Sequence, residues 1–217
     1  MVRLIEHDGF FLLRQPDFYA VMALITLPPV LTPATFDNET PFLSARWRSS
    51  EEAGEIFGPG SVIGSPVVPL GMSVMLYLYG RSHENFGLAT FGRDLFRAQM
   101  VNSVLTLGLK YGFNRTRPNG EAYGYPSGHT SATFATAGVV HAHFGLLWGM
   151  TAYLGAAYVG FSRLQKNKHY LTDVIAGGIL GSYVGERLAR RSSWTGDMAL
   201  IPVVTSRGMT IRFVRRI

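Results

Sequence analysis

The chain has 217 residues, 47% of them hydrophobic and 16% charged, which suits one domain with a substantial core and excludes disorder. Twenty basic against fourteen acidic residues leave a net charge of +6, a balance that favours phosphate-bearing partners, while a mean hydropathy of +0.15 argues against a chain made mostly of lipid-facing spans. Cysteine is absent, which excludes disulfide frameworks, thiolate metal sites and cysteine nucleophiles.

In chain order, residues 1–80 read as apolar N-terminal helices and their connection. The start does not read as a cleavable signal peptide, because Glu6 and Asp8 sit where positive charge belongs. Two charge-free runs follow, Phe18–Phe36 and Ile56–Gly80, each near the roughly 20 residues of a bilayer crossing. Pro28, Pro29 and Pro33 interrupt the first, and Pro59, Pro66 and Pro69 the second, so each reads equally as a kinked span, a re-entrant segment or an apolar core helix. Between them, Asp37–Glu55 is polar and acidic and reads as a surface connection.

A helical core is expected over 81–191. It opens with a helix over Phe86–Lys110, whose Leu88, Phe91, Leu95, Val101, Leu105 and Leu109 make an imperfect apolar stripe. Arg93, Asp94 and Arg97 make that helix a poor lipid-facing span. Turn-forming residues mark a loop over Asn114–Gly128. Further helices are predicted at Thr130–Phe144, Leu146–Phe161 and Asp173–Arg191, the last ending in a basic turn that complements its dipole. The tail, 195–217, predicts a β-hairpin of Ala199–Val204 and Met209–Val214. The expected fold is a single domain over 1–217, an all-α helical bundle with a short C-terminal hairpin.

Three segments carry chemistry. Lys110 and Arg117-Pro118 are seven residues apart; if the helix continues that far, both cations share a face and converge on one dianion. Pro126-Ser127-Gly128-His129 opens a helix: Ser127 or Thr130 can cap it, Gly128 admits a ligand to the free amides, and His129 can protonate a leaving oxygen. Ser162-Arg163 precedes His169, and Asp173 follows His169 by one helical turn. That carboxylate can hold the imidazole in one tautomer and leave the other nitrogen free as a nucleophile.

Taken together, Lys-x6-Arg-Pro, Pro-Ser-Gly-His and Ser-Arg-x5-His-x3-Asp resemble the signature of the type 2 phosphatidic acid phosphatase family, which shares its fold and anion site with the vanadium-dependent haloperoxidases. More narrowly, the chain looks like small bacterial members found at the membrane or in the periplasm. The resemblance implies that Lys110, Arg117 and Arg163 clamp the phosphate oxygens together with the Ser127 hydroxyl and the Gly128 amide. It implies His169 as the nucleophile, Asp173 as its orienting group, His129 as the general acid, and a phosphohistidine intermediate. Three cations then take the place of a divalent metal, and no cofactor is expected. Vanadate would enter as an inhibitor or, in an alternative haloperoxidase reading, as the cofactor held by His169. A non-catalytic membrane or phosphate-binding protein that keeps the fold is the third reading.

The expected partner is a phosphorylated small molecule or a lipid phosphate, at a membrane, with the site facing the periplasm or cell exterior; no nucleic-acid motif accompanies the charge. Composition and motifs leave the oligomeric state open. The 32 residues between His129 and Ser162 fit two helices of 14 to 15 residues, roughly 22 Å each, which suits partial immersion better than two crossings. His141 and His143 diverge by about 200° on one helix, so they read as polar packing and not as a metal pair. Arg115 reads as a solvated neighbour of the motif cations. Tyr111, Phe113, Tyr123, Tyr125 and Tyr170 read either as a leaving-group pocket or as core. Arg207, Arg212, Arg215 and Arg216 read as a solvated edge or a contact with anionic lipid.

Overall fold

A computed structural model describes residues 2–31, 51–193, 198–205 and 208–215, and among these the side chains of 7–27, 29 and 54–191. The helices are α1 (Val2–Leu13), α2 (Pro16–Leu31), α3 (Glu51–Phe57), α4 (Gly60–Ile63), α5 (Val67–Ser82), α6 (Phe86–Phe113), α7 (Gly128–Phe144), α8 (Leu146–Gln165) and α9 (Leu171–Ser193). The backbone of β1 (Met198–Thr205) pairs antiparallel with β2 (Gly208–Arg215). The protein is a helical bundle. The readings of the tail arginines lie outside the described side chains, and residues 37–50 of the expected surface connection lie outside the described residues; from Glu51 that segment is helical.

Prolines divide the second apolar run as its composition suggests: Pro59 and Pro66 stand at the N-terminal boundaries of α4 and α5. Among the described residues no single helix is long and apolar enough to cross a membrane. Two bent pairs reach that length and composition together: His7–Leu13 with Pro16–Leu27, bent by 83°, and Gly54–Ile63 with Val67–Ser82, bent by 49°.

The 28-residue α6 starts cleanly because the Asn85 side chain accepts from the Leu88 amide at 3.1 Å. It stops because Asn114 adopts a left-handed conformation, with φ of 42°. Its stripe is buried as the spacing implies: Phe91, Leu95 and Val101 lie in the core, and Leu105 and Leu109 pack against it. Helices α7 and α8 have 17 and 20 residues, longer than the 14 to 15 expected, because α7 starts at Gly128 and α8 continues through Ser162 and Arg163. At 1.5 Å per residue α8 is about 30 Å long, so its length no longer argues for partial immersion.

Close contact between α7 and α9 positions the site. Gly177, Gly181 and Gly185, four residues apart on α9, face the α7 backbone, where a Cβ on any of them would collide with Ser127 O, Ser131 O or Ala135 O. Hydrogen in place of a side chain therefore lets the two backbones touch. One product is a direct bond from the Ser127 amide to the Asp173 carbonyl, 2.9 Å, which joins the second motif to the third. Leu12, Phe18, Ile25, Val101, Tyr125, Leu180 and Val184 fill the core beneath, tying α1 and α2 to α6 and α9.

Candidate active site

At one end of the bundle the three motifs meet. His169 and Asp173 are buried, and His169 Nδ1 lies 3.3 Å from Asp173 Oδ2, so Nε2 is the nitrogen left for chemistry. The same Asp173 oxygen accepts from the Tyr170 amide at 2.9 Å. Burial pushes the His169 pKa down, and Lys110 and Arg117 add to that, while Asp173 opposes them through its hydrogen bond and its charge.

Lys110 and Arg117 converge, but not along a helix. Since α6 ends at Phe113, Arg117 belongs to the loop, and the shared-face reading of the seven-residue spacing is wrong. The loop is folded by its own bonds: the Arg117 amide donates to Glu121 O at 2.7 Å, and the Gly124 amide to Arg115 O at 2.7 Å. Lys110 Nζ donates to Tyr123 O at 2.7 Å. Burial, with repulsion from Arg117 and Arg163 and partial relief from Asp173, brings the Lys110 pKa down to about 8. Arg163, on the last turn of α8, is buried and is likewise lowered by burial and by Arg117.

Two of these cations are short of partners. Arg117 Nη1 meets Glu121 Oε2 at 2.7 Å and Arg163 Nη1 donates to Ser61 Oγ at 2.9 Å, yet the buried Nε of each has no hydrogen-bond partner among the described residues. A buried N–H left unpaired costs free energy that a bound acceptor would recover.

Ser127 stands at the N-cap of α7, but its side chain makes no capping bond. Instead its Oγ accepts from Thr130 Oγ1 at 2.9 Å, so the Ser127 hydroxyl keeps its own proton to donate. Gly128 leaves the first α7 amides open beside Lys110, whose Cε would lie 3.7 Å from a Cβ at that position. His129 follows on the same turn. Burial and repulsion from Arg163 and His169 lower its pKa to about 4, against a backbone hydrogen bond with Ser61 that raises it.

Arg115 is a correction. It is not a solvated neighbour: its side chain is 11% exposed, its Nη1 lies 2.8 Å from Asp173 Oδ1 and 2.7 Å from Thr172 Oγ1, and its guanidinium sits 4.5 Å above the Tyr170 ring. Ser61 was missed altogether. Besides Arg163 it meets Ser162 Oγ at 3.2 Å, because Gly60 allows α4 to lie directly on Ser162. A glycine-proline-glycine-serine run beside an apolar helix was the available signal, and it pointed to no partner.

Residues 91–194, which include every motif residue from Lys110 to Asp173, match the PAP2 superfamily. That core is thus similar to the PAP2 superfamily. Over 97 residues the chain is 41% identical to a lipid A 1-phosphatase of Porphyromonas gingivalis, a match covering 43% of this chain and 22% of that protein, so the chain spans about a fifth of that relative's length. In fold it is similar to the crystal structure of LpxE from Aquifex aeolicus, with a TM-score of 0.52 and 21% identity over 77% of this chain and 93% of that one. The aromatic residues near the PAP2 motifs divide by role. Tyr125 is core, donating to Ile25 O and packing on Phe113, whereas Tyr111 and Tyr123 stack edge to face at 5.0 Å with Tyr111 exposed. His141 and His143 serve packing and polar contacts, as expected: they face different partners, Glu186 and Asp94.

Proposed function

We propose that this protein is a metal-independent phosphatase that hydrolyses a lipid phosphate monoester or lipid-linked diphosphate at a membrane surface. The observation that carries the reading is the convergence of Lys110, Arg117 and Arg163, two of them with unpaired buried N–H groups, on the mouth of a buried His169–Asp173 pair. Three cations supply the charge neutralisation that a phosphoryl transition state needs. His169 Nε2 attacks phosphorus, the bond to the leaving oxygen breaks, and His129 gives that oxygen its proton. Water then attacks the phosphohistidine, His129 takes up a water proton, and the N–P bond breaks to release phosphate.

A pKa near 4 leaves His129 neutral in the empty site, so the substrate must supply the condition for its own protonation. A bound phosphate dianion offsets the Arg163 and Arg117 charges that add to burial in depressing the histidine, and its arrival makes the imidazolium stable where the leaving oxygen needs it. Membrane association is supported by the wide apolar surface outside the cradle: Val62, Val67, Leu147 and Leu154 are each more than 70% exposed. A lipid phosphate as substrate is supported by the similarity to a lipid A 1-phosphatase, and the site facing the periplasm or exterior is part of the same proposal.

The test is phosphate release by detergent-solubilised protein from a phosphatidate, a lipid A 1-phosphate, a prenyl diphosphate and a soluble phosphate ester, with and without EDTA. Turnover of a lipid substrate that survives EDTA and is inhibited by vanadate is expected. Activity lost to chelation and restored by magnesium would overturn the mechanism, and halide oxidation with added vanadate would move the protein to the haloperoxidase reading.

A further inference from the structure

Arg115 touches the site from behind, and its bonds differ in kind from those of the phosphate-facing cations. Its guanidinium is committed to Asp173 Oδ1 and Thr172 Oγ1, its flat face to Tyr170, and its carbonyl to the Gly124 amide, so one residue ties the loop after α6 to the start of α9. We propose that Arg115 is a positioning residue for the nucleophile: it fixes the carboxylate that orients His169 and draws part of that carboxylate's charge away from the imidazole. The inference rests on the reading of His169 as the nucleophile.

The chemistry asks for this division. A carboxylate on Nδ1 does two things to a histidine: it holds the ring in one tautomer, and it favours the imidazolium. The first helps attack at phosphorus. The second hinders it, because a protonated Nε2 has no lone pair. With Asp173 Oδ2 taken by the Tyr170 amide and His169, and Oδ1 by Arg115, the orientation survives and the pull on the proton is weakened. The charged and titratable groups facing His169 are Asp173 from the first turn of α9, just after it in the chain, Lys110 from α6, Arg117 from the loop and His129 from α7. Arg115 acts on it through Asp173. Once the phosphoryl group is on Nε2 the ring is cationic, and the same fixed carboxylate stabilises it.

The experiment compares wild type, Arg115→Gln and Arg115→Lys in detergent, measuring kcat and KM against pH, phosphate inhibition, and the titration of His169 by nitrogen NMR with His169→Asn as the assignment control. Arg115→Gln should lower kcat by roughly ten- to a hundredfold, as loss of an outer-sphere partner does, and leave KM and phosphate inhibition within about twofold, since the cradle is intact. Its acid limb and the His169 titration should both move to higher pH, because the imidazole then feels the full carboxylate. Arg115→Lys should return the limb to its wild-type place with only part of kcat. In an Asp173→Asn background, Arg115→Gln should add no further loss. A raised KM with wild-type kcat, an unmoved limb, or fully additive losses would overturn the proposal. If Arg115→Gln does not fold, Arg115→Lys decides: lowered kcat at constant KM supports the role, and raised KM at constant kcat refutes it. Wild-type protein without phosphatase activity would defeat the functional reading, while the NMR titration would still judge the Arg115–Asp173–His169 coupling.

Discussion

Two histidine–carboxylate pairs lie at opposite ends of this bundle, and their surroundings differ in one respect. His169–Asp173 sits among Lys110, Arg117 and Arg163; His143–Asp94 sits about 24 Å away along α6, judged by the rise from Asp94 to Lys110. At the far end the charges are mutually satisfied. Arg97 Nε lies 2.7 Å from Asp8 Oδ2 and its Nη1 3.4 Å from Asp94 Oδ1, Arg191 approaches Asp8 at 3.5 Å, and His143 Nε2 lies 3.1 Å from Asp94 Oδ2. At the near end Asp173 is held by Arg115, and Arg117 and Arg163 each keep a buried donor without an acceptor among the described residues. A cluster whose charges close on themselves has no charge left for a ligand, whereas one left with surplus positive charge under a helix N-terminus can take an anion. Residue types alone do not distinguish them.

Breaking the contrast at its strongest point gives the largest expected effect. His169→Ala should abolish turnover of every substrate, a loss on the order of 10⁴-fold or more, while His143→Ala should leave kcat/KM within about twofold and lower the melting temperature. Steady-state kinetics beside thermal melts will read both, and a His143→Ala enzyme that is folded but inactive would erase the distinction.

The arginines separate next. Arg163→Gln should cost roughly 10²–10³-fold in kcat/KM with little change in stability, since it removes one transition-state donor. Arg97→Gln leaves Asp8 and Asp94 buried without their shared cation, and should destabilise the fold by about 3–5 kcal/mol. Denaturant titrations compared with activity at low temperature will show which variant loses chemistry and which loses structure.

His129→Ala should cost about 10²–10⁴-fold on an alkyl phosphate and much less on a nitrophenyl phosphate, whose leaving group needs no proton. Equal losses on the two would make His129 a phosphate ligand and not the acid.

The smallest effect is a pH limb. Lys110 has its pKa lowered to about 8, so its charge is present below that pH and lost as pH rises through it. Phosphate and vanadate inhibition should therefore weaken above pH 8 in the wild type, and Lys110→Arg should carry the limb to higher pH. Bound substrate raises the Lys110 pKa, so the limb in kcat should lie above the limb in kcat/KM.

Much of the site was legible in the chain because its residues come in local units: an i,i+4 His–Asp pair, a Ser-Gly-His helix start, an Arg on the turn before the histidine. Backbone geometry at short range converts such spacing into neighbours. Where the reading reached across a loop it failed. The helical alignment of Lys110 with Arg117 was wrong because Asn114 ends α6, and Arg115 looked solvated because spacing does not say which way a loop side chain turns.

By itself, the sequence determined the helical character, the apolar stripe of α6, and the identities of the groups that cluster at the candidate site, all from patterns within a few residues. Tertiary structure alone decided that Ser61 would meet Arg163 across 102 positions of chain, that Asp8 would close on Arg97 across 89, and that Arg115 would face Asp173 across 58. Those contacts depend on helices approaching closely at glycines and on loops closing under them. Such approaches are set by the packing of whole elements, which no local pattern encodes.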